Sequence, residues 1–121
     1  MPKPTAARMR TFLKKFPATT EETPFHPDNW VYKVAGKMFA TLSPKLDPPT
    51  MNLKCDPDEA PRLREAHDAI VPGYHMNKRH WNTVHLDGSL DEAFVRGLVH
   101  DSFELVVDGL PKKMQKPLRG L

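Results

Sequence analysis

The chain has 121 residues, 39% hydrophobic and 27% charged, which favours one folded domain over residues 1–121 and argues against disorder along its whole length. No stretch approaches the roughly 20 apolar residues of a membrane helix, and the opening MPKPTAARMR lacks the apolar run of a signal peptide. The single cysteine excludes an internal disulfide or a multi-cysteine zinc site. We therefore expect a soluble, cytoplasmic protein.

The basic residues are concentrated at the two ends of the chain. Residues 1–15 hold five basic side chains and no acid, and residues 112–121 hold four basic side chains and no acid. The intervening segment carries a net charge of −6, so the overall +3 is an average of unlike parts. Basic ends of this kind can attract nucleic acid or an anionic surface, or they can simply be solvated.

The chain opens with an amphipathic pattern that predicts a helix over residues 5–16. Its apolar residues fall at i, i+3, i+4 and i+7, namely Met9, Phe12, Leu13 and Phe16. Pro17 ends this helix. The following stretch, residues 18–29, is rich in threonine, proline and acidic residues, and its composition predicts a loop.

A hairpin follows, with strands over 30–34 and 37–42 joined by Ala35–Gly36. A two-residue turn pairs Val34 with Lys37 and Lys33 with Met38, so Lys33 and Lys37 point to opposite faces of the sheet. A third strand is predicted over 51–55, with Met51, Leu53 and Cys55 on one side and Asn52 and Lys54 on the other.

The second half predicts two more helices around a strand. The first helix is capped by Asp58, because that start places Pro61 at a position that needs no hydrogen bond. A strand over 81–86 follows, with another short strand near 71–76. Ser89 and Glu92 form a capping box that opens a long helix over 90–107. The predicted fold class is α+β, with two layers: an antiparallel sheet and helices on one face.

No catalytic pattern is present. The six glycines are scattered, none of the serines has the context of a nucleophile elbow, and Cys55 ends an apolar strand face where a buried hydrophobe is expected. His75, His80 and His85 recur every five residues, a spacing that alternates between the faces of a strand and does not converge on one metal ion. We expect neither an enzyme, nor a cofactor, nor a metal site.

Residues 74–82, Tyr-His-Met-Asn-Lys-Arg-His-Trp-Asn, combine positive charge with flat aromatic side chains. Lysine and arginine neutralise phosphates, aromatic rings stack on bases, and asparagine both donates and accepts hydrogen bonds. The segment therefore indicates a nucleic-acid contact. The structural alternative is that Trp81 is a core strand residue and Tyr74 packs a turn.

This segment also carries a family resemblance. PGYHMNKRHWNTV (72–84), VYKVAGKMFATLS (31–43), LKCDPDEA (53–60), ELVVDGLPKK (104–113) and FPATTEETPF (16–25) resemble the motifs of the bacterial MmcQ/YjbR family. The resemblance covers residues 12–113 and leaves basic extensions at 1–11 and 114–121. It implies an α-β(3)-α-β(2)-α domain, similar to type III secretion chaperones and loosely to frataxin-like (CyaY-like) folds. The family is described as DNA-binding, with no enzymatic reaction assigned.

Two functional hypotheses follow. The first is a non-catalytic DNA-binding protein of low sequence specificity. Its expected phosphate contacts are Lys78, Arg79, Lys112 and Lys113, with Lys54 and Lys37 as lesser candidates. The residues expected to stack on bases are Trp81, Tyr74 and His80. Asn77 is expected to bond to a base or a sugar. The second is a protein-interaction module, a homodimer or chaperone-like adaptor, that uses an open sheet face or edge.

Overall fold

The computed structural model describes residues 2–73 and 76–119. Within these residues, six strands form one antiparallel sheet in the order β1-β2-β3-β4-β6-β5. The strands are β1 Thr19–His26, β2 Asn29–Val34, β3 Lys37–Ser43, β4 Thr50–Lys54, β5 Ile70–Pro72 and β6 Trp81–His85, and the helices are α1 Ala6–Lys14, α2 Ala60–Ala66, α3 Glu92–Asp108 and α4 Lys112–Arg119. The predicted α+β class is confirmed.

One face of the sheet is covered by helices. Helix α3 packs on β2, β3 and β4, α1 on β1 and β3, α2 on β5 and β6, and α4 on α3. Alternate strand residues enter this layer and are buried, among them Tyr32, Ala40, Leu42, Met51, Leu53 and Val84. The ring of Phe103 lies 4.8 Å from that of Phe16 and 5.3 Å from that of Phe39, measured between centroids. The main hydrophobic cluster therefore lies between the sheet and its helices.

The predicted hairpin register is confirmed. Val34 pairs with Lys37 and Lys33 with Met38. Ala35 and Gly36 both have positive φ angles, 49° and 79°, as the two-residue turn most compatible with strand twist requires. A bulge then places Phe39 opposite the gap between two paired positions of β2 and sends its ring into the core.

The loop predicted over 18–29 is wrong, because most of it forms the edge strand β1. Its pattern is polar and mostly exposed, so it shows no alternation that sequence reasoning could detect. The strand is fixed instead by its neighbours: the Glu21 carboxylate accepts two bonds from the Arg10 guanidinium, at 2.8 and 2.9 Å, and one from the Tyr32 hydroxyl, at 2.6 Å. Pro24 is tolerated because an edge strand has one unpaired side.

Both predicted helix starts are also wrong. Helix α2 begins at Ala60 with Glu59 at its cap, and Asp58 supplies no side-chain cap. Helix α3 begins at Glu92, so this residue occupies the first helical position and cannot close a capping box. The Glu92 backbone N–H donates to the carbonyl of Pro2 instead, 3.1 Å away. The N-terminal segment thus takes the place of a local cap.

The segments expected to be basic extensions are built into the fold. Residues 6–14 form α1, and α4, which the sequence pattern did not predict, packs its Leu118 against the core. Their arginines pair with acids of the central segment: Arg8 with Glu92, Arg10 with Glu21, and Arg119 with Glu104 and Asp108. Three of the nine basic side chains in residues 1–15 and 112–121 are therefore ion-paired within the part of the molecule that the structure describes.

A candidate nucleic-acid interface

The face of the sheet opposite the helices carries polar side chains in a cross-strand row. Thr41, Asn52 and Thr83 are paired in register on β3, β4 and β6. The Asn52 side-chain N–H donates to the Thr41 hydroxyl at 3.0 Å, and the Thr83 hydroxyl donates to the Asn52 carbonyl oxygen at 2.5 Å. We call this row the polar ladder, and this side of the sheet the open face.

Four of the predicted site residues lie at one end of the sheet, two of them on its open face. Lys54, the last residue of β4, is the register partner of Trp81, the first residue of β6. Strand alternation places both side chains on the same face as the polar ladder. Lys78 and Arg79 are exposed in the loop immediately before Trp81, which is itself partly exposed. Lys54, Lys78, Arg79 and Trp81 form what we call the basic–aromatic patch.

The loop that carries Lys78 and Arg79 is held in place by Arg64 of α2. The Arg64 Nε donates to the side-chain oxygen of Asn82 at 2.7 Å, and its Nη2 donates to the carbonyl of Lys78. The backbone N–H of Cys55 donates to the carbonyl of His80 at 2.7 Å. These bonds fix the loop backbone through its polar groups, whereas Lys78 and Arg79 are exposed to solvent.

Gly73 and Asn77 complete this support. The Gly73 N–H donates to the carbonyl of Trp81 at 3.0 Å, and a Cβ at Gly73 would lie 2.9 Å from the Trp81 Cβ. Only glycine allows this approach. Asn77, expected to contact a base or sugar, accepts a bond from the Arg79 N–H through its side-chain oxygen at 3.0 Å. Asn77 therefore has a structural role in shaping the loop.

Ser102 positions Lys54 from the opposite layer. It is fully buried in α3, where its hydroxyl accepts from the Lys54 N–H at 2.8 Å and donates to the Phe39 carbonyl at 2.5 Å. Sequence reasoning missed both Ser102 and Arg64. The available signal for Ser102 was its polarity in the middle of an apolar stripe, between Val99 and Phe103. Arg64 gave no local signal, because its partners lie 14 to 18 positions away.

Of the remaining predicted residues, Lys37, Lys112 and Lys113 lie away from the patch. Lys37 is exposed at the same end of the sheet, but it pairs with Val34, whose side chain faces the helices, so Lys37 and Lys54 lie on opposite faces. Lys112 and Lys113 are exposed in the first turn of α4, which packs on α3 in the helical layer. His80 is partly buried. Tyr74 lies outside the described residues.

A cleft of about 800 Å³ adjoins the basic–aromatic patch on the open face. The polar ladder lies along its floor, and Met38, Met76 and the exposed Phe25 contribute to its walls. Met76 stands in the same loop as Lys78, so one loop borders both features. The sequence did not predict this cleft, which depends on the packing of a loop and of β1 against the sheet.

The chain has one thiol, that of Cys55. Burial raises the pKa of the Cys55 thiol to about 11, so the thiol stays protonated at neutral pH. In residues 2–73 and 76–119 no cluster of three or more histidine, cysteine or acidic side chains could hold a metal ion. No helix in this part of the chain has the length and apolarity needed to cross a membrane.

The sheet order, the helical layer and the open face define a two-layer α+β protein in which one face of the sheet carries no helix. The chain matches the YjbR family model over residues 14–105 and belongs to the YjbR family; the resemblance in its motifs is confirmed. It is 44% identical over 96 residues to the uncharacterized protein YbdF of Escherichia coli O157:H7, covering 79% of each chain, and 38% identical over 86 residues to YjbR of Escherichia coli K12, covering 71% of this chain and 73% of YjbR.

Solved structures show the same architecture. A crystal structure of a Deinococcus radiodurans protein with the DUF419 domain superposes with a TM-score of 0.88 at 36% identity, covering 98% of this chain and 90% of that one. A Pseudomonas syringae protein superposes with a TM-score of 0.72 at 30% identity, covering 82% of this chain and 96% of its own.

Proposed function

We propose that this YjbR-family protein is a non-catalytic DNA-binding protein whose contact surface is the basic–aromatic patch. The observation that carries the proposal is the pairing of Lys54 with Trp81 beside the exposed Lys78 and Arg79. Three cations and one indole thus lie at the same end of the sheet. Cations that neutralise phosphates, combined with a ring that stacks on bases, are the two components of low-specificity nucleic-acid binding.

The local electrostatics support this choice over the arginines of the chain ends. Among the residues that the structure describes, no carboxylate lies within 4 Å of the side-chain nitrogens of Lys54, Lys78 or Arg79. The arginines of the two terminal segments are ion-paired, as described above. A phosphate at the patch would therefore displace no internal salt bridge.

A salt titration tests the proposal directly. Binding of a fluorescein-labelled 20-residue single strand and of the matching duplex is followed by anisotropy at several salt concentrations. Each phosphate contact contributes about −0.7 to the slope of log affinity against log salt for a single strand, and about −0.9 for a duplex. Three contacts therefore predict slopes of about −2 for the single strand and about −2.7 for the duplex. Failure of both probes to bind at about 50 mM salt would refute the proposed function.

A protein partner is the second candidate, favoured by one observation. Phe25 and Leu46, 78% and 55% exposed, stand beside the open face. Exposed apolar side chains of this size often mark contacts between proteins. Sedimentation equilibrium of the wild type and of a Phe25→Ser, Leu46→Ser double variant tests this role. A dimer that the double variant disrupts would favour it; a wild type that is monomeric at all concentrations would argue against self-association.

A further inference from the structure

The cleft beside the patch has a floor suited to an edge that both donates and accepts hydrogen bonds. Thr41 and Thr83 are 5% and 2% exposed, and Asn52 joins them across three strands. A side-chain amide has two N–H groups and two lone pairs on its oxygen. The polar ladder engages one N–H and one lone pair of Asn52, so this amide can donate one further hydrogen bond and accept one further hydrogen bond.

The walls of the cleft are suited to the flat faces of a ring. Met38 and Met76 present thioethers, which make favourable contacts with aromatic rings. Phe25 and Leu46 stand at the mouth with most of their surface in water. A flat heterocycle would cover this apolar surface while its polar edge reached the floor. The volume of about 800 Å³ falls in the range of small-ligand sites.

The charges separate the cleft from its neighbour. Of the described residues that line it, none is lysine or arginine, two, His26 and His85, are histidines, and one, Asp47, is acidic. The cleft therefore offers a phosphate no lysine or arginine, unlike the patch. The basic–aromatic patch begins two residues further along the same strands, at Lys54 after Asn52 and at Trp81 before Thr83. Two residues of strand span about 7 Å, so a neutral site and an anion site lie side by side.

We infer that the cleft binds an unpaired nucleobase of single-stranded DNA whose phosphates lie on the basic–aromatic patch. This inference rests on the proposed function and adds a preference to it. A base can enter only when its hydrogen-bonding edge is not paired with a complementary strand, so single strands should bind more tightly than duplexes at the same salt concentration.

Two labelled oligonucleotides of equal length and charge test the inference. One is a normal single strand, and the other carries tetrahydrofuran abasic sites at every internal position. The abasic strand keeps all the phosphates but has no bases to fill the cleft. We expect it to bind about 5- to 150-fold more weakly, the range that stacking of one base supplies. Equal affinity for the two strands, with the salt dependence intact, would overturn the cleft while leaving the proposed function standing.

Removing the bases also removes the stacking partner of the Trp81 indole. Variants of the cleft residues therefore distinguish the contribution of the cleft to affinity from that of Trp81. Asn52→Ala should weaken binding of the normal strand and leave the abasic strand unchanged. Because Asn52 also supports the fold, Leu46→Ala provides a second variant at the exposed mouth, matched by Met114→Ala on α4, which is 37% exposed. Leu46→Ala should weaken the normal strand, and Met114→Ala should not. Wild-type affinity in both Asn52→Ala and Leu46→Ala would overturn the inference; absence of binding by every probe would instead refute the proposed function.

Discussion

The two faces of the sheet are built from alternate residues of the same strands, yet they have opposite chemistry. On β4, Met51 and Leu53 are buried under the helices, whereas Asn52 and Lys54 lie on the open face. The first pair contributes to the core, and the second contributes to the cleft and the patch. Because a strand alternates at every residue, five positions supply side chains both to the core and to the proposed contact surface.

The faces also differ in how they treat charge. Glu92 is 4% exposed on the helical side, and two arginines, Arg8 and Arg96, bond to it. On the open face, Lys33 is paired with Glu22 at 3.3 Å, whereas Lys54, Lys78 and Arg79 have no carboxylate within 4 Å among the described residues. The positive charge of the basic–aromatic patch is therefore not neutralised by an internal salt bridge.

The largest expected effect is on the free energy of unfolding, compared between alanine variants of two phenylalanines, one on each face of the sheet. Phe103→Ala removes a ring that is 2% exposed in the helical layer and should lower the free energy of unfolding by about 3–5 kcal/mol. Phe25→Ala removes a ring that is 78% exposed on the open face and should change it by less than about 0.5 kcal/mol. Urea denaturation gives both values. Similar losses for the two variants would show that the faces do not divide as described.

A smaller effect is expected for Trp81→Ala, on binding. Loss of one stacking contact should weaken single-strand binding by about 1–3 kcal/mol. Trp81→Phe retains a ring and should recover most of the affinity. Anisotropy titrations of the two variants, with thermal unfolding to verify the fold, supply the comparison. Wild-type affinity in the alanine variant would show that the indole is not part of the contact surface.

The pH dependence of the Glu92 network is expected to be the smallest effect. Hydrogen bonds from Arg8 lower the pKa of the Glu92 carboxyl below its ordinary 4.5. A depressed folded-state pKa means that the contribution to stability is complete above the unfolded-state pKa and is lost as the pH falls through the folded-state value. Glu92→Gln should therefore be less stable than wild type at pH 7, with the difference shrinking below about pH 4. A difference that stays constant down to pH 3, measured by urea denaturation, would contradict this assignment.

Local patterns in the sequence were enough to predict α1, the hairpin with its register, and the residues of β4 that enter the core. They failed at β1, whose polar residues are ordered by Arg10 and by the hydroxyl of Tyr32 rather than by their own periodicity. They also failed at the start of α3, where the cap is the carbonyl of Pro2. In each failure the deciding partner lies far away in the sequence.

The candidate site divides in the same way. Lys78, Arg79 and Trp81 could be predicted because they are neighbours in one segment of suggestive composition. The contribution of Lys54 depends on the register between β4 and β6, strands separated by α2 and β5. The cleft arises only when β1, a proline-rich loop and Met76 meet over the sheet, and no single segment of the sequence contains that information.

The most direct test of the account compares two pairs of cations that remove the same charge. Lys78→Ala, Arg79→Ala alters the open face, and Lys112→Ala, Lys113→Ala alters α4 in the helical layer. We expect the first double variant to lose affinity and to reduce the magnitude of the salt slope by about 1.4–2, whereas the second should bind DNA almost as wild type does. Equal losses in the two double variants would show that binding follows net charge alone and would contradict a recognition surface on the open face.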